Sequence, residues 1–412
     1  MRNVTIESLT AIDRRFPLLG GEGSDAVHTG AEYGYAVAEL SAGALRGTGI
    51  ALTLGQGNEL VCDAIRMLGA SLPGRDIEAT MNQFGVFQRT LADHPQLRWL
   101  GPHKGVTHLA LAALTNACFD LWAKVRGVPL WKLLLSLTSD QIVSLIDFSY
   151  IEDVLSPADA KSILDAHLPS RAEREGVLKS GYPGYDTSVG WFQFDDQRVV
   201  DSALEARARG FRAVKLKVGS ADGGRDLRRA SLLRDALGDD TLIMLDANQQ
   251  WPLEKALHMS KALSAISPYW IEEPTHPDDV FGHRRIAEEI APVKLALGEH
   301  VPNRVLFKAF MQAHAMHFVQ ADCVRLAGVS EFLAVSLMAR KFGLPVAPHV
   351  GDMGQIHQHL VLFNHIALGH DRLFLEHIPH LREHFVHPAA VEGGVYLTPQ
   401  EPGLSCDLHA AK

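Results

Sequence analysis

Short apolar runs that end in a polar or ionisable residue recur through most of the chain, each followed by a stretch of helical composition. The runs are Ile142–Asp147, Ala213–Lys217, Leu242–Asp246, Tyr269–Glu272, Leu295–Glu299, Phe318–Asp322, Leu344–His349 and Leu373–Glu376. From the second onward they close on Lys217, Asp246, Glu272, Glu299, Asp322, His349 and Glu376, in steps of 29, 26, 27, 23, 27 and 27 residues. A strand of about five residues, a helix of about a dozen and two short loops fill about 25 to 30 residues, so this spacing predicts a βα repeat. The intervening segments carry helical patterns, such as Leu227, Leu232, Leu233 and Leu237 or Phe332, Leu333, Val335, Leu337 and Met338. Eight right-handed βα units close into a barrel.

Between the first run and the second lies a long insertion, with helices expected near 157–168 and 171–178 before Gly181-Tyr-Pro-Gly-Tyr-Asp-Thr-Ser188. The first 125 residues differ in kind. Strands are expected over 4–13 and 35–40, around a Gly-rich polar loop from Gly20 to Tyr33, with helical segments following to about Arg126. The expected fold is therefore α/β, a modified TIM barrel over 126–387 with an N-terminal α+β capping domain over 1–125. A tail from about 388 to 412 carries a short strand at 394–398 and is expected to return to the cap.

The apolar fraction of 47% and charged fraction of 21% suit a chain with a large core and exclude disordered and collagen-like classes. A net charge of −9 with no basic patch argues against nucleic-acid and anionic-membrane partners. Cys62, Cys118, Cys323 and Cys406 are too dispersed for a zinc site or a disulfide scaffold, so buried reduced thiols in a cytoplasmic protein are expected. Residues 1–7 lack the apolar core of a signal peptide, and no apolar run is long enough to span a membrane.

In such a barrel the C-terminal strand ends meet at one mouth. Asp246, Glu272 and Glu299 end three consecutive strands, and three converging carboxylates repel one another unless a cation sits among them. Any one of them alone reads as a helix cap or loop acid; the three together predict an all-oxygen site suited to Mg²⁺. Lys215 and Lys217 are two apart on a strand and point to the same face, where neighbouring ammonium groups near a cation lower each other's pKa and prepare a base. Asp322 and His349 close neighbouring strands, a pairing that fixes an imidazole tautomer and makes a general acid or base. Glu376 either bonds substrate or caps the next segment, and Asn248, Gln249 and His300 either contact substrate or support those that do. Mg²⁺ on a carboxylate acidifies its α-proton by stabilising the enediolate, from which dehydration, racemisation and lactone opening all proceed.

The motifs Lys215-Leu-Lys217, Asp246-Ala-Asn-Gln249, Trp270-Ile-Glu-Glu-Pro274 and Gly298-Glu-His300, with the Asp322 and His349 pair, resemble the mandelate racemase and muconate lactonizing branch of the enolase superfamily over nearly the whole chain. Within it the chain is most similar to L-fuconate dehydratases, through Gly23-Ser-Asp-Ala26, Arg98–Gly105, Pro129-Leu-Trp131, Tyr182–Ser188, Thr275–Val280 and Asn303–Lys308. The resemblance implies Mg²⁺ held by Asp246, Glu272 and Glu299. It implies Lys217 taking the C2 proton of an aldonate, His349 helping the 3-hydroxyl leave, and a 2-keto-3-deoxy acid as product. Lys215 and Asp322 would assist, and Asn248, Glu376, Asp25, Tyr33, His300 and Tyr185 would contact substrate. Two segments depart from the fuconate pattern: Val350-Gly-Asp-Met-Gly-Gln-Ile-His357 after the seventh strand, and Val27-His-Thr-Gly-Ala-Glu-Tyr33 in the cap loop. A related aldonate, L-galactonate or a pentonate such as L-lyxonate, is thus an alternative substrate.

A Schiff-base aldolase needs a barrel lysine but no metal, so the three acids count against it. A racemase or epimerase of the same superfamily would exchange the α-proton without losing water. A non-catalytic barrel would have lost some of the seven strand-end positions, and none is lost. Eight of the 21 histidines fall between 357 and 387; they are expected to be scattered at solvent or at an interface of a homo-oligomer, in preference to a surface metal site.

Overall fold

The computed structural model describes residues 4–30 and 32–410; Ala31 of the cap-loop segment quoted above and both extreme termini fall outside them. The chain opens with an antiparallel meander of β1 (Ser8–Pro17), β2 (Glu32–Ala42) and β3 (Leu45–Thr53) in the order β1-β2-β3. β3 was not foreseen, because its alternation is blurred by Gly47 and Gly49. Those glycines exist for contact: a Cβ at Gly49 would lie 2.0 Å from the Ala113 carbonyl and 2.3 Å from the Ala117 amide. The helix Gly105–Arg126 thereby lies directly on the sheet, buried from Ala110 to Ala123, and Gly127 ends it in the left-handed conformation at φ 66°.

Eight strand positions form the barrel. β4 (Tyr182–Gly190), β5 (Ala213–Lys217), β6 (Leu242–Asp246), β7 (Trp270–Glu272), β8 (Leu295–Leu297) and β9 (Phe318–Val319) pair in parallel and in sequence. Val346 bridges to Val319 as the seventh position, and β10 (Leu375–His377) pairs with β4 to close the ring. Pro345 and Pro348 remove two ladder donors, so the seventh position is a single bridge and not a strand.

The first barrel strand is thus Tyr182–Gly190, and the expected strand Ile142–Asp147 is wrong. Ser139–Ser144 is a helix, started by a capping box in which Thr138 and Gln141 exchange side-chain and backbone bonds. The segment 181–188, placed in the insertion without an element of its own, is β4 itself, disguised by Pro183 and Gly184. The helices Pro157–His167, Arg171–Arg174 and Val177–Ser180 fill the space before it.

The lower barrel is plugged by Tyr185, Ala213, Met244, Trp270, Ala296, Phe318 and Ala347, a core separate from the main one. After β10, β11 (Val391–Glu392) and β12 (Val395–Tyr396) form a hairpin against β4. The tail then crosses to the first sheet. Asp407 accepts from Thr48 Oγ1 at 2.6 Å and Lys124 Nζ at 2.6 Å, and Asp120 accepts from the Leu404 amide at 2.7 Å. All four cysteines are buried and unpaired. Among the described residues no helix is long and apolar enough to cross a membrane.

The histidine-rich stretch is only partly at solvent: His387 is exposed, and His365, His377, His380 and His384 are half-buried. His357, His359 and His370 are buried, with His357 Nδ1 on Asp352 at 2.8 Å and His370 Nε2 at 3.0 Å from the Ser336 carbonyl. His380 faces Glu22 of the cap loop at 3.2 Å.

Gly49→Ala is expected to push the Gly105–Arg126 helix off β3 and cost about 1–3 kcal/mol, as overpacking typically does. Urea unfolding checks this; an unchanged midpoint would refute the close contact.

Candidate active site

Parallel register sets the acids level with one another. Lys217 pairs with Asp246 and Asp246 with Glu272, so each projects from its strand end into the same layer. Asp246, Glu272 and Glu299 each offer an oxygen within 4.8 Å of the others. Lys215 Nζ lies 2.8 Å from Glu272 Oε1, 2.7 Å from Glu376 Oε1 and 3.4 Å from Asp246 Oδ2, while Lys217 Nζ lies 2.6 Å from Asp246 Oδ2. The outer Glu272 oxygen accepts from Trp270 Nε1 at 2.9 Å.

Burial and the neighbouring Asp246 push the Glu272 carboxyl up to about 8. Glu299 stays well below the usual range despite burial, because His349, His300 and Lys217 favour its charge. Its Oε2 is buried and bonded to nothing among the described residues. Crowded carboxylates, one with a free buried oxygen, fit a hard divalent cation such as Mg²⁺, with the imidazoles of His349 and His300 standing 3.6 and 3.9 Å from the other Glu299 oxygen.

The expectation that the lysine pair yields a lowered pKa does not hold in this arrangement. Burial opposes the charge on Lys215, but Glu272 and Glu376 outweigh it and raise the pKa well above the ordinary value. For Lys217 burial is outweighed by Asp246, again upward, with Lys215 acting in the lowering direction. The mutual effect is present but smaller than that of the acids.

His349 Nδ1 is 2.7 Å from Asp322 Oδ2, and backbone amides of Val324 and Gly351, each at 2.9 Å, hold the two Asp322 oxygens. This leaves Nε2 facing Glu299 at 3.6 Å and Glu376 at 3.9 Å. Burial disfavours the imidazolium, yet Glu299, Glu376 and Asp322 push its pKa up to about 10.

A cavity of about 550 Å³ opens above this layer, lined by Lys217, Glu299, His349, Asn248, Glu376 and His300 from the barrel and by Asp25 and Tyr33 from the cap. Asn248 Oδ1 is buried there without a partner, and Asn248, Gln249 and Glu273 all take positive φ, 44°, 58° and 41°. Strained backbone clustered at the strand ends marks a site whose geometry the surroundings impose. Gln249 does not line the cavity; it and Glu273 hold His300, whose Nδ1 is 3.1 Å from Glu273 Oε2. Asp25 lines the cavity, but its carboxylate is occupied by the Val27 and His28 amides, each at 2.7 Å, and by His28 Nδ1 at 3.0 Å.

Tyr185 is the one expected contact that lies elsewhere. On β4 it pairs in register with Glu376 but points down into the apolar plug, edge-on to Trp270, with its ring 5.7 Å below Lys215 Nζ. It lies beside the lysine and is not among the residues that line the cavity. Sequence reasoning missed His28, Trp191, Arg325 and an apolar wall of Leu52, Leu54, Met353 and Ile378. Arg325, three residues past Asp322, was the most discoverable; Leu52 went unseen with β3.

A family profile described as "Enolase C-terminal domain-like" matches residues 198–412. The L-galactonate dehydratase of Hypocrea jecorina is 38% identical over 419 residues, 99% of this chain and 93% of that protein. The crystal structure of human mitochondrial enolase superfamily member 1 superposes with a TM-score of 0.96 at 41% identity, over 99% of this chain and 95% of that one. The L-talarate/galactarate dehydratase of Salmonella typhimurium, solved with Mg and L-lyxarohydroxamate, shares the fold at a TM-score of 0.78 and 24% identity, over 99% and 91% of the two chains.

Two outcomes are expected from the geometry. In metal-free protein the His349 ring keeps its proton through neutrality and loses it only toward about pH 10, because its folded pKa is raised; histidine ring NMR reads this, and a midpoint at or below neutrality refutes it. Glu299→Gln weakens Mg²⁺ binding at least about tenfold in calorimetric titration, since it removes a charged oxygen ligand.

Proposed function

The chain belongs to the enolase superfamily, and from that footing we propose that it is a Mg²⁺-dependent acid-sugar dehydratase, a hydro-lyase acting on a six-carbon aldonate. The observation that carries this reading is that Lys217 and His349 face one cavity with Glu299 between them. A base and an acid on one bound molecule are what elimination of water requires. Asp246, Glu272 and Glu299 would hold the ion, whose charge, when bound, acidifies the C2 proton of a chelated carboxylate.

Lys217 Nζ takes that proton. Its ammonium is kept charged here by Asp246 against burial and Lys215, so engaging Asp246 elsewhere leaves the two opposing influences to free the amine. Lys215, tied to Glu272 and Glu376, stays charged and holds these carboxylates in place. His349 then gives its Nε2 proton to the 3-hydroxyl as the C3–O bond breaks and water leaves. Asp322, accepting from Nδ1, fixes the tautomer that presents Nε2 to the cavity and stabilises the imidazolium before transfer. Proton loss at C2 and hydroxide loss at C3 give an enol, which tautomerises to a 2-keto-3-deoxy acid. Asn248 Oδ1, Tyr33 and His300 are placed to accept from or donate to the substrate's hydroxyls.

L-Fuconate and L-galactonate, which differ only in the 6-hydroxyl, are the substrates this reading favours. The relative named L-galactonate dehydratase supports the galacto configuration. The apolar wall of Leu52, Leu54, Met353 and Ile378 suits the methyl terminus of L-fuconate. An aldolase that attacks through Lys215 is disfavoured, because that ammonium is buried and bound to carboxylates.

Purified protein with Mg²⁺, screened against acid sugars, is expected to form a 2-keto-3-deoxy acid, and no turnover of any aldonate or aldarate would end the proposal. Lys217→Met is expected to lose about 10²–10⁴-fold of activity, the usual worth of a general base. His349→Asn should still exchange the C2 proton in deuterated water while losing elimination. Exchange without dehydration in the wild type would instead favour an epimerase.

A further inference from the structure

Arg325 lies in the loop after β9, four strand positions from β5, so it faces Lys217 across the barrel mouth. Its Nε donates to the Glu299 carbonyl at 3.2 Å, which sets the plane of the guanidinium. Among the described residues its two terminal amino groups donate to no protein acceptor, and Arg325 is one of the residues that line the cavity of the candidate site. A second cavity of about 750 Å³ shares Glu299, His300 and Arg325 with the first and continues to Lys104, His276 and Asp278. Lys104 and Asp278 are bonded to each other at the far side of the second cavity, and Arg325 stands where the two cavities meet. The charge around it explains why a donor there matters. Asp246, Glu272, Glu299, Asp322 and Glu376 outnumber Lys215 and Lys217, and both lysines are already committed to those acids.

We propose that Arg325 is a specificity-determining residue whose terminal amino groups bind two neighbouring hydroxyls of the substrate chain, those on C4 and C5, at the end away from Lys217. This rests on the acid-sugar reading and deepens it. The coplanar N–H groups left free by the Nε bond match two oxygens side by side, a geometry that a lysine at the same place cannot reproduce. With the polyol held there, the chain runs from Lys217 past His349 to the junction, and its terminus is left to the apolar wall.

The test compares wild type, Arg325→Gln and Arg325→Lys on two acids of the same C2 and C3 configuration: the six-carbon aldonate that the wild type turns over best, and a four-carbon tetronate that lacks C5. Loss of hydrogen bonds to a charged donor corresponds to about ten- to a hundredfold in affinity. Arg325→Gln is therefore expected to raise KM for the six-carbon acid by about that factor, with kcat little changed and the tetronate much less affected; Arg325→Lys recovers part of the loss. Mg²⁺ affinity, measured by calorimetry on the same folded variants, should not move. An equal loss on both acids, or a weakened Mg²⁺ site, would show that Arg325 only supports Glu299 and would overturn the proposal, as would an unchanged KM. With galactarate run as a third substrate, a loss confined to it would also overturn the proposal, assigning Arg325 to a distal carboxylate. A wild type inactive on every acid sugar would sink the acid-sugar reading itself, whereas an active wild type with a flat Arg325→Gln comparison sinks the Arg325 assignment alone.

Discussion

Five carboxylates and two ammonium groups share a largely buried layer in the upper barrel, and their mutual compensation is the constraint on which the site depends. Burying an unpaired ion costs several kcal/mol, about the whole stability of many domains, so each charge in this layer must be answered locally. Lys215 answers three acids at once and is fully buried, over the ring of Tyr185 and beside an apolar plug. Glu272 shows the remaining imbalance: its proton affinity is raised because burial and Asp246 act together. Glu299 shows where the imbalance is open, with a buried oxygen that no protein donor reaches. The layer is therefore rigid on the Lys215 side and receptive on the Glu299 side, where His349, His300 and Arg325 also gather.

The same charge layer is what made the site legible. An ionisable residue closing an apolar run is conspicuous in a sequence, and its recurrence at helix-plus-strand spacing placed the acids, the lysines and His349 without any structure. The strands themselves were less legible than their ends. β7, β8 and β9 hold only two or three ladder residues, and the seventh position is one bridge between two prolines, so the barrel rests on closure and helix packing more than on long ladders. β4 was misread because Pro183 and Gly184 signal a turn, although the strand tolerates them at the end where it meets the C-terminal hairpin. Ile142–Asp147 was misread because an apolar run of that length suits either a strand or a buried helix, and only the capping box at Thr138 and Gln141 decides.

What could not be read was whatever depends on two distant segments meeting. Leu52 and Leu54 face the cavity because Gly47 and Gly49 let the sheet sit directly on the Gly105–Arg126 helix, and nothing local in β3 announces that contact. Tyr185 lies on a barrel strand but belongs to the plug, and a one-residue slip of β4 would turn its side chain to the other face of the sheet. The lysine pKa values were misjudged for a related reason. Two lysines at i and i+2 are visible in sequence, but the acids that outweigh them come from β6, β7 and β10.

The loop after His349, where the sequence departs from fuconate dehydratases, is the clearest case of local chemistry serving a distant group. Asp352 accepts from the Gly354, Ile356 and His357 amides and from His357 Nδ1, closing the loop on itself. His357 Nε2 in turn accepts from the Cys323 amide at 2.9 Å, fastening the loop to the residue after Asp322. Because that nitrogen accepts, the ring proton lies on Nδ1, and the pair with Asp352 is directional. The Gly351 amide is thereby held on Asp322, and Gly351 has no room for a side chain, since a Cβ would lie 2.9 Å from Asp322 Oδ2. Met353, at φ 57°, is turned into the cavity by the same closure. The departure thus leaves the Asp322 and His349 pair intact and changes the cavity wall at Met353.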